Sequence, residues 1–207
     1  MLKRTKGRLL LTLLVVTGFA GTINNTAPTK QERRFAIEHF KDSKTDLLRT
    51  MKGLSEARLN YKPSTGAASI KESFFQLTSL ESRLWSQMEA AMKQPSHPEK
   101  RALLRYTDEE LLQNIEFLHR LQPASGEVLP NSNKTRSMNE ALAAFKLAKT
   151  EQIKYIKTTT SDLRNHFVAL PFGLVDCYQV ILLITACNDY YNQQIDHSMA
   201  SASFPKN

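Results

Sequence analysis

Three capping boxes, each placed directly before an apolar stripe, constrain this chain more than any other feature. Ser69-Ile70-Lys71-Glu72, Thr107-Asp108-Glu109-Glu110 and Ser137-Met138-Asn139-Glu140 all carry a hydroxyl followed by Glu three residues on. In such a box the hydroxyl accepts from the third amide and the Glu accepts from the cap amide, so a helix starts there. The stripes that follow have helical spacing: Ile70, Phe74, Leu77, Leu84 and Met88; Leu111, Ile115 and Leu118; Met138, Leu142, Phe145, Ile156 and Leu163. Before them, Ile37, Phe40, Leu47, Leu48 and Met51 mark a first helix from Lys30 to Met51, with Gly53 suited to its end. A last helix runs from about Leu174 to His197, and its segment Val180 to Ile184 is apolar all round, the mark of a fully buried helix. Strand alternation of useful length is not visible. The expected fold is all-α: four long helices and one short one in an antiparallel bundle.

The N-terminus has a different character. Met1 to Arg8 contains Lys3, Arg4, Lys6 and Arg8 and no acid, and an apolar run follows from Leu9 to Ala20, ending in Gly18-Phe19-Ala20. A basic stretch, a short apolar run and a small-x-small site together read as a secretory signal peptide over residues 1–20. Twelve apolar-run residues fall short of the roughly 18 needed for a span, so no stable membrane span is expected after cleavage, and the mature protein is expected to be secreted or periplasmic. The formal charge of +8 belongs largely to this segment. Without its four basic residues, 24 basic face 20 acidic, a balance of +4. That net charge is not the footprint of a nucleic-acid binder. Residues 21–29 form a polar lead-in, 30–200 the bundle and 201–207 a tail. Gln122 to Arg136 is a long connection rich in Pro, Ser, Asn and Gly, and Asn24-Asn25-Thr26 and Asn133-Lys134-Thr135 match the glycosylation sequon.

Export places Cys177 and Cys187, the two cysteines, in an oxidising compartment. Ten residues of helix separate them by roughly 15 Å, beyond the reach of a disulfide, so both are expected to be free and buried. The five His residues (His39, His97, His119, His166, His197) make no zinc-like spacing, and no phosphate loop or nucleophile elbow is present.

Several stretches resemble the DinB-like superfamily. The run Gly53 to Pro63 (GLSEARLNYKP) is similar to the loop after its first helix, and Ser69-Ile70-Lys71-Glu72 to the start of its second. Thr107 to Leu112 and Glu140 to Phe145 resemble segments of an exported-looking subgroup, and Pro171 to Gln179, continuing to Gln194-Ile195, resembles the final helix. The resemblance covers about residues 30–200. It implies a four-helix bundle, in many members with a divalent metal held by three His: one from helix two and two, four apart, from the last helix. Members of known activity include bacillithiol S-transferases and a mycothiol-dependent isomerase. Here the three positions hold Gln76, Cys187 and Tyr191, and the family's Trp before the Ser is Ala68. An amide, one thiol and a phenol are a poor zinc set.

Gln76, Cys187, Tyr191 and Asp176 could line a metal-free pocket at the former site; the alternative is that larger, uncharged side chains fill that site, with Tyr191 OH bonded to Gln76. The expected function is that of an exported, metal-free binding or structural relative of the family, with a small ligand as partner and no cofactor. The enzyme alternative is a transferase or hydrolase with a rearranged divalent site (Zn, Ni or Mn) built on Cys187 and Asp176 with Glu72. A third reading is a module that forms a homodimer through exposed helix faces.

Overall fold

The computed structural model describes residues 27–113, 115–121 and 137–206. The signal-like segment, both sequons and the long connection from Gln122 to Arg136 lie outside these residues. Four long helices dominate: α1 (Lys30–Met51), α3 (Ile70–Ala91), α6 (Met138–Thr158) and α7 (Cys177–Met199). Between them lie α2 (Glu56–Leu59), a 3-10 turn (Pro98–Leu103), α4 (Asp108–Gln113), α5 (Ile115–Leu121) and a hairpin of β1 (Phe167–Leu170) and β2 (Gly173–Asp176).

All three expected capping boxes form. Ser69 and Ser137 accept from the amides of Glu72 and Glu140, whose carboxylates accept from the cap amides in return. Thr107 and Glu110 make the same exchange at the start of α4. Two more boxes were not read from the sequence: Thr29 with Glu32 on α1, and Asp176 with Gln179 on α7. In the second, Asp replaces the hydroxyl and Gln the Glu, but the hydrogen-bond logic is unchanged.

Side-chain pairs fix the helix directions. Phe74 meets Phe145 and Trp85 meets Tyr155, so α3 and α6 run parallel. Tyr178 OH donates to Glu32 O at the start of α1, so α1 and α7 also begin at one end. Arg33 near the start of α1 donates to Ile156 O near the end of α6, while Lys44 donates to Thr150, so this pair is antiparallel. Asn188 donates to Glu81 and the Cys177 thiol donates weakly to Met88 O, so α3 and α7 are antiparallel too. The bundle is therefore up, down, down, up, and the expected antiparallel packing holds for two of its four adjacent pairs. The separation in sequence between Met92 and Ser137 makes this possible: it is long enough for α6 to start at the same end as α3.

That crossover also explains the burial of α7. Every residue from Cys177 to Asn188 is buried, because α1 and α3 flank the helix and α4 and α5 lie across its remaining side. Leu111, Phe117, Leu118 and Leu121 supply the apolar cover.

The chain is all-α as expected, and the stretch from Phe167 to Asp176 adds one small hairpin to it. It is an antiparallel hairpin with Phe167 opposite Asp176 and Leu170 opposite Gly173. Gly173 has φ 145°, which side-chain-bearing residues rarely adopt. Four-residue strands flanked by the apolar Phe172 show no lasting alternation, and β2 takes up residues 174–176, so α7 begins at Cys177 and not at Leu174. Likewise α6 ends at Thr158, and Leu163 packs from the following loop.

Candidate functional site

The four residues singled out from the sequence separate into three places. Cys187 and Tyr191 lie one turn apart on α7, and both are buried. Gln76 is exposed on α3. Asp176 caps the opposite end of α7, eleven residues and about 16 Å from Cys187 along the axis. Glu72, the further candidate acid, is engaged in its capping box and bonded to Lys62 (2.9 Å). A groove of about 440 Å³ opens at the C-terminal end of α7, lined by Pro63, Ser64, His197, Ala200 and Ser201. None of the four candidates lines it.

The donor chemistry of Gln76, Cys187 and Tyr191 does not fit a divalent metal. Burial pushes the Cys187 thiol well above the ordinary thiol range, with Glu81 adding to the shift, so the sulfur is a neutral thiol and not a thiolate. Gln76 offers a neutral amide and Tyr191 a phenol, which ordinarily ionises only near pH 10. Among the described residues no three His, Cys, Asp or Glu side chains gather as a metal would need.

Two polar clusters, one buried and one partly so, were not assembled from the sequence, although Asp176 belongs to the second. The first lies in mid-bundle, where Lys149 of α6 donates to Glu81 of α3 (2.7 Å). Asn188 of α7 donates to the same Glu81 oxygen and to Ile184 O (2.7 Å). The ammonium lies 4.6 Å from the ring centre of Phe40 on α1 and 5.5 Å from that of Phe145. All four long helices thus meet at one charged group that has no exposure at all. Burial pushes Glu81 up and Lys149 down, while their mutual attraction opposes both shifts. Two ring faces and a 2.7 Å bond favour the ionised form, so the pair is a salt bridge. Cys187 adjoins Asn188 in sequence, next to this cluster.

The second cluster closes the end of the bundle where α1, α4 and α7 begin. Arg164, in the loop after α6, binds Asp108 through two bonds (3.0 and 2.7 Å), Glu32 through Nε (2.9 Å) and Nη2, and Asp176 (3.0 Å). Its guanidinium stacks 4.2 Å from the ring centre of Tyr178. The two ends of this network shift in ways that look opposed. Three carboxylates hold Arg164 above its usual range despite burial. Asp176 is nevertheless raised to about 6, because burial outweighs its share of one guanidinium. Both follow from one cation serving three acids. The partners lie 132, 56 and 12 residues from Arg164, so no sequence pattern announces them.

The sequence did hold a signal for the first cluster. Glu81 sits on the stripe between Leu77 and Leu84, and Lys149 and Gln152 fill the gap between Phe145 and Ile156. A charged residue on a core stripe is a candidate for a buried pair.

No protein-family model matches the chain, and no curated protein does. The fold is similar to one solved structure, YfiT from Bacillus subtilis, described as a probable metal-dependent hydrolase with an unusual four-helix bundle topology. The likeness has a TM-score of 0.58 at 11% identity and covers 91% of this chain and 97% of that one. It establishes the four-helix bundle fold.

Proposed function

We propose that this chain is an exported DinB-like bundle without the family's metal, working as a non-catalytic binding or structural protein. The observation that carries the reading is the donor set at the three family positions: an exposed amide, a neutral buried thiol and a buried phenol. Such a set lacks the imidazoles and anionic donors that hold a divalent ion. The fold likeness and the ordered motifs from Gly53 to Ile195 support the family. The basic and apolar character of residues 1–20 supports export.

The test is metal analysis of the purified mature protein together with thermal melting. The protein should purify without stoichiometric Zn, Ni or Mn, and adding those ions should leave its Tm nearly unchanged. A specific site would raise stability once the ion exceeds its Kd. Stoichiometric metal that disappears in Cys187→Ala would overturn the proposal. For export, the form recovered from the cell envelope or medium should lack residues 1–20; an intact Met1 in that pool would refute cleavage.

The description of YfiT favours a second reading, a metal-dependent hydrolase with a rearranged site. That reading needs Cys187, Asp176 and Glu72 to converge. Asp176 is bonded to Arg164 at one end of α7, and Glu72 to Lys62 near the other, which favours the first.

A further inference from the structure

A net charge of +4 conceals how the charges are distributed. At 100° per residue, five basic residues of α1 fall within one arc of about 100°. Two of them, Arg33 and Lys44, reach across to Ile156 O and Thr150 of α6, so the arc faces the α1/α6 seam. The other three, Lys30, Arg34 and Lys41, are exposed beside it. On α6 the matching arc carries Lys146, Lys154 and Lys157, all exposed. The acids of the two helices (Glu32, Glu38, Asp42 and Asp46; Glu140 and Glu151) all fall outside these arcs. Of the six exposed cations, Arg34 alone has an ion-pair partner among the described residues, a loose 3.9 Å contact with Glu38 at the edge. The balancing acids sit elsewhere: Asp108, Glu109 and Glu110 on α4 and Glu116 on α5, which cover α7, the helix diagonal to α6.

We propose that the α1/α6 face is a docking surface for an anionic phospholipid bilayer. Charge complementarity is the first argument: eight cations and no acid lie on one side of a molecule whose total excess is small. The surface character is the second. Two long antiparallel helices make a shallow, extended face, and half-buried Ile37, Leu48 and Ile153 lie between the cations, the mixture that suits a headgroup layer. Nucleic acid fits less well. The face carries no aromatic side chain for base stacking, and five of its six exposed cations are lysines, point charges without the bidentate fork of arginine. The bundle does not insert, since no helix among the described residues is long and apolar enough to cross a membrane. Binding is peripheral and electrostatic, and it does not depend on whether a metal site exists.

The test uses the chain from Gly21, which retains the whole described core, and vesicles of phosphatidylcholine with about one-third phosphatidylglycerol. Sedimentation at low ionic strength should bring the protein down with these vesicles and not with phosphatidylcholine alone. Binding should vanish near 1 M salt, where the Debye length is about 3 Å. The variant K41S/K146S/K154S/K157S should bind at least about 100-fold more weakly, from roughly five-fold per lysine. The control K93S/R105S/R120S/K206S removes the same charge from other exposed positions and should stay close to wild type; circular dichroism confirms that both fold. Equal losses in the two variants would mean net charge alone acts and would overturn the proposal. Equal binding to phosphatidylcholine would overturn it as well. So would a single-stranded oligonucleotide that displaces the vesicles at lower phosphate concentration, assigning the face to nucleic acid.

Discussion

Replacing Lys149 by Met gives the sharpest test of the core. Met keeps most of the aliphatic stem and its contacts with Phe40 and Phe145, and removes the charge alone. Glu81 is then left 5% exposed with Asn188 as its remaining donor. Breaking a buried pair from one side costs about 3–5 kcal/mol, because the surviving charge loses its partner in a dry site. The carboxyl can escape part of that cost by taking up a proton on folding, and this gives the prediction its signature. With the cation gone, the folded-state pKa of Glu81 stands further above its ordinary value than in the native pair. The native state then binds more protons than the unfolded state, so stability is present at low pH and lost as pH rises. The loss should proceed at about 1.4 kcal/mol per pH unit above the unfolded carboxyl range, up to the folded pKa. Urea titrations of both proteins at pH 5 and pH 8 measure it. Lys149→Met should be several kcal/mol less stable than wild type at pH 8 and much closer to it at pH 5. The double variant E81L/K149M should recover much of the loss at pH 8, since two apolar side chains can replace a buried pair with little cost. A penalty equal at both pH values, or one below about 1 kcal/mol, would show that Lys149 acts through packing alone.

Asp176→Asn keeps a good N-cap residue and leaves Arg164 with Glu32 and Asp108. Because Asp176 is raised from 3.8 to about 6, its contribution is fully present below pH 3.8 and lost as pH rises to about 6, worth up to about 3 kcal/mol. The Asn variant should therefore gain on wild type across that window in calorimetric scans; a difference that does not move with pH would refute the assignment. Arg164→Lys should destabilise by at least about 2 kcal/mol, since an ammonium cannot reproduce the two-bonded fork on Asp108 while holding Glu32 and Asp176. Chemical denaturation that finds it equal to wild type would sink that reading. Ser69→Ala should cost about 1 kcal/mol through the lost cap, and Ser69→Asp, which can still accept from Glu72 N, should cost less. Restoring His at positions 76, 187 and 191 together should create Zn²⁺ binding measurable by calorimetry; a folded variant that ignores zinc would mean these are not the family's ligand positions.

How much was legible depended on whether the information was local. The capping boxes at Ser69, Thr107 and Ser137 join residues three apart, and each appears where the sequence put it. The all-round apolar run from Val180 to Ile184 correctly marked the central helix. Of the candidate site, the burial of Cys187 could be read from its stripe. So could the distance of Asp176, eleven residues of helix away; its place as the cap of α7 could not, because no local pattern shows that Leu174 to Asp176 pair with Val168 and its neighbours. Arg164 is the extreme case, a loop residue whose partners come from three helices.

The helix directions were illegible for a different reason. Short loops between long helices force neighbours to be antiparallel, but the connection before α6 is long. A helix of 22 residues is about 33 Å long, a span that roughly ten extended residues can cover. The stretch from Met92 to Ser137 far exceeds that, so it can return to the starting end of α3 and still contribute α4 and α5 on the way. Once it does so, α6 must run parallel to α3. Glu81 and Lys149, each about halfway along its helix, would share a level in either direction; the parallel run decides which aromatic pairs flank them. In a strictly up-and-down bundle, α6 would run opposite to α3, and Phe74 with Phe145 and Trp85 with Tyr155 could not meet on either side of the pair. The same crossover covers α7 with acidic helices and, among the described residues, leaves the α1/α6 side uncovered, with its lysines exposed. Direction and surface charge are thus one structural fact, and it resides in the length of a connection that carries no motif.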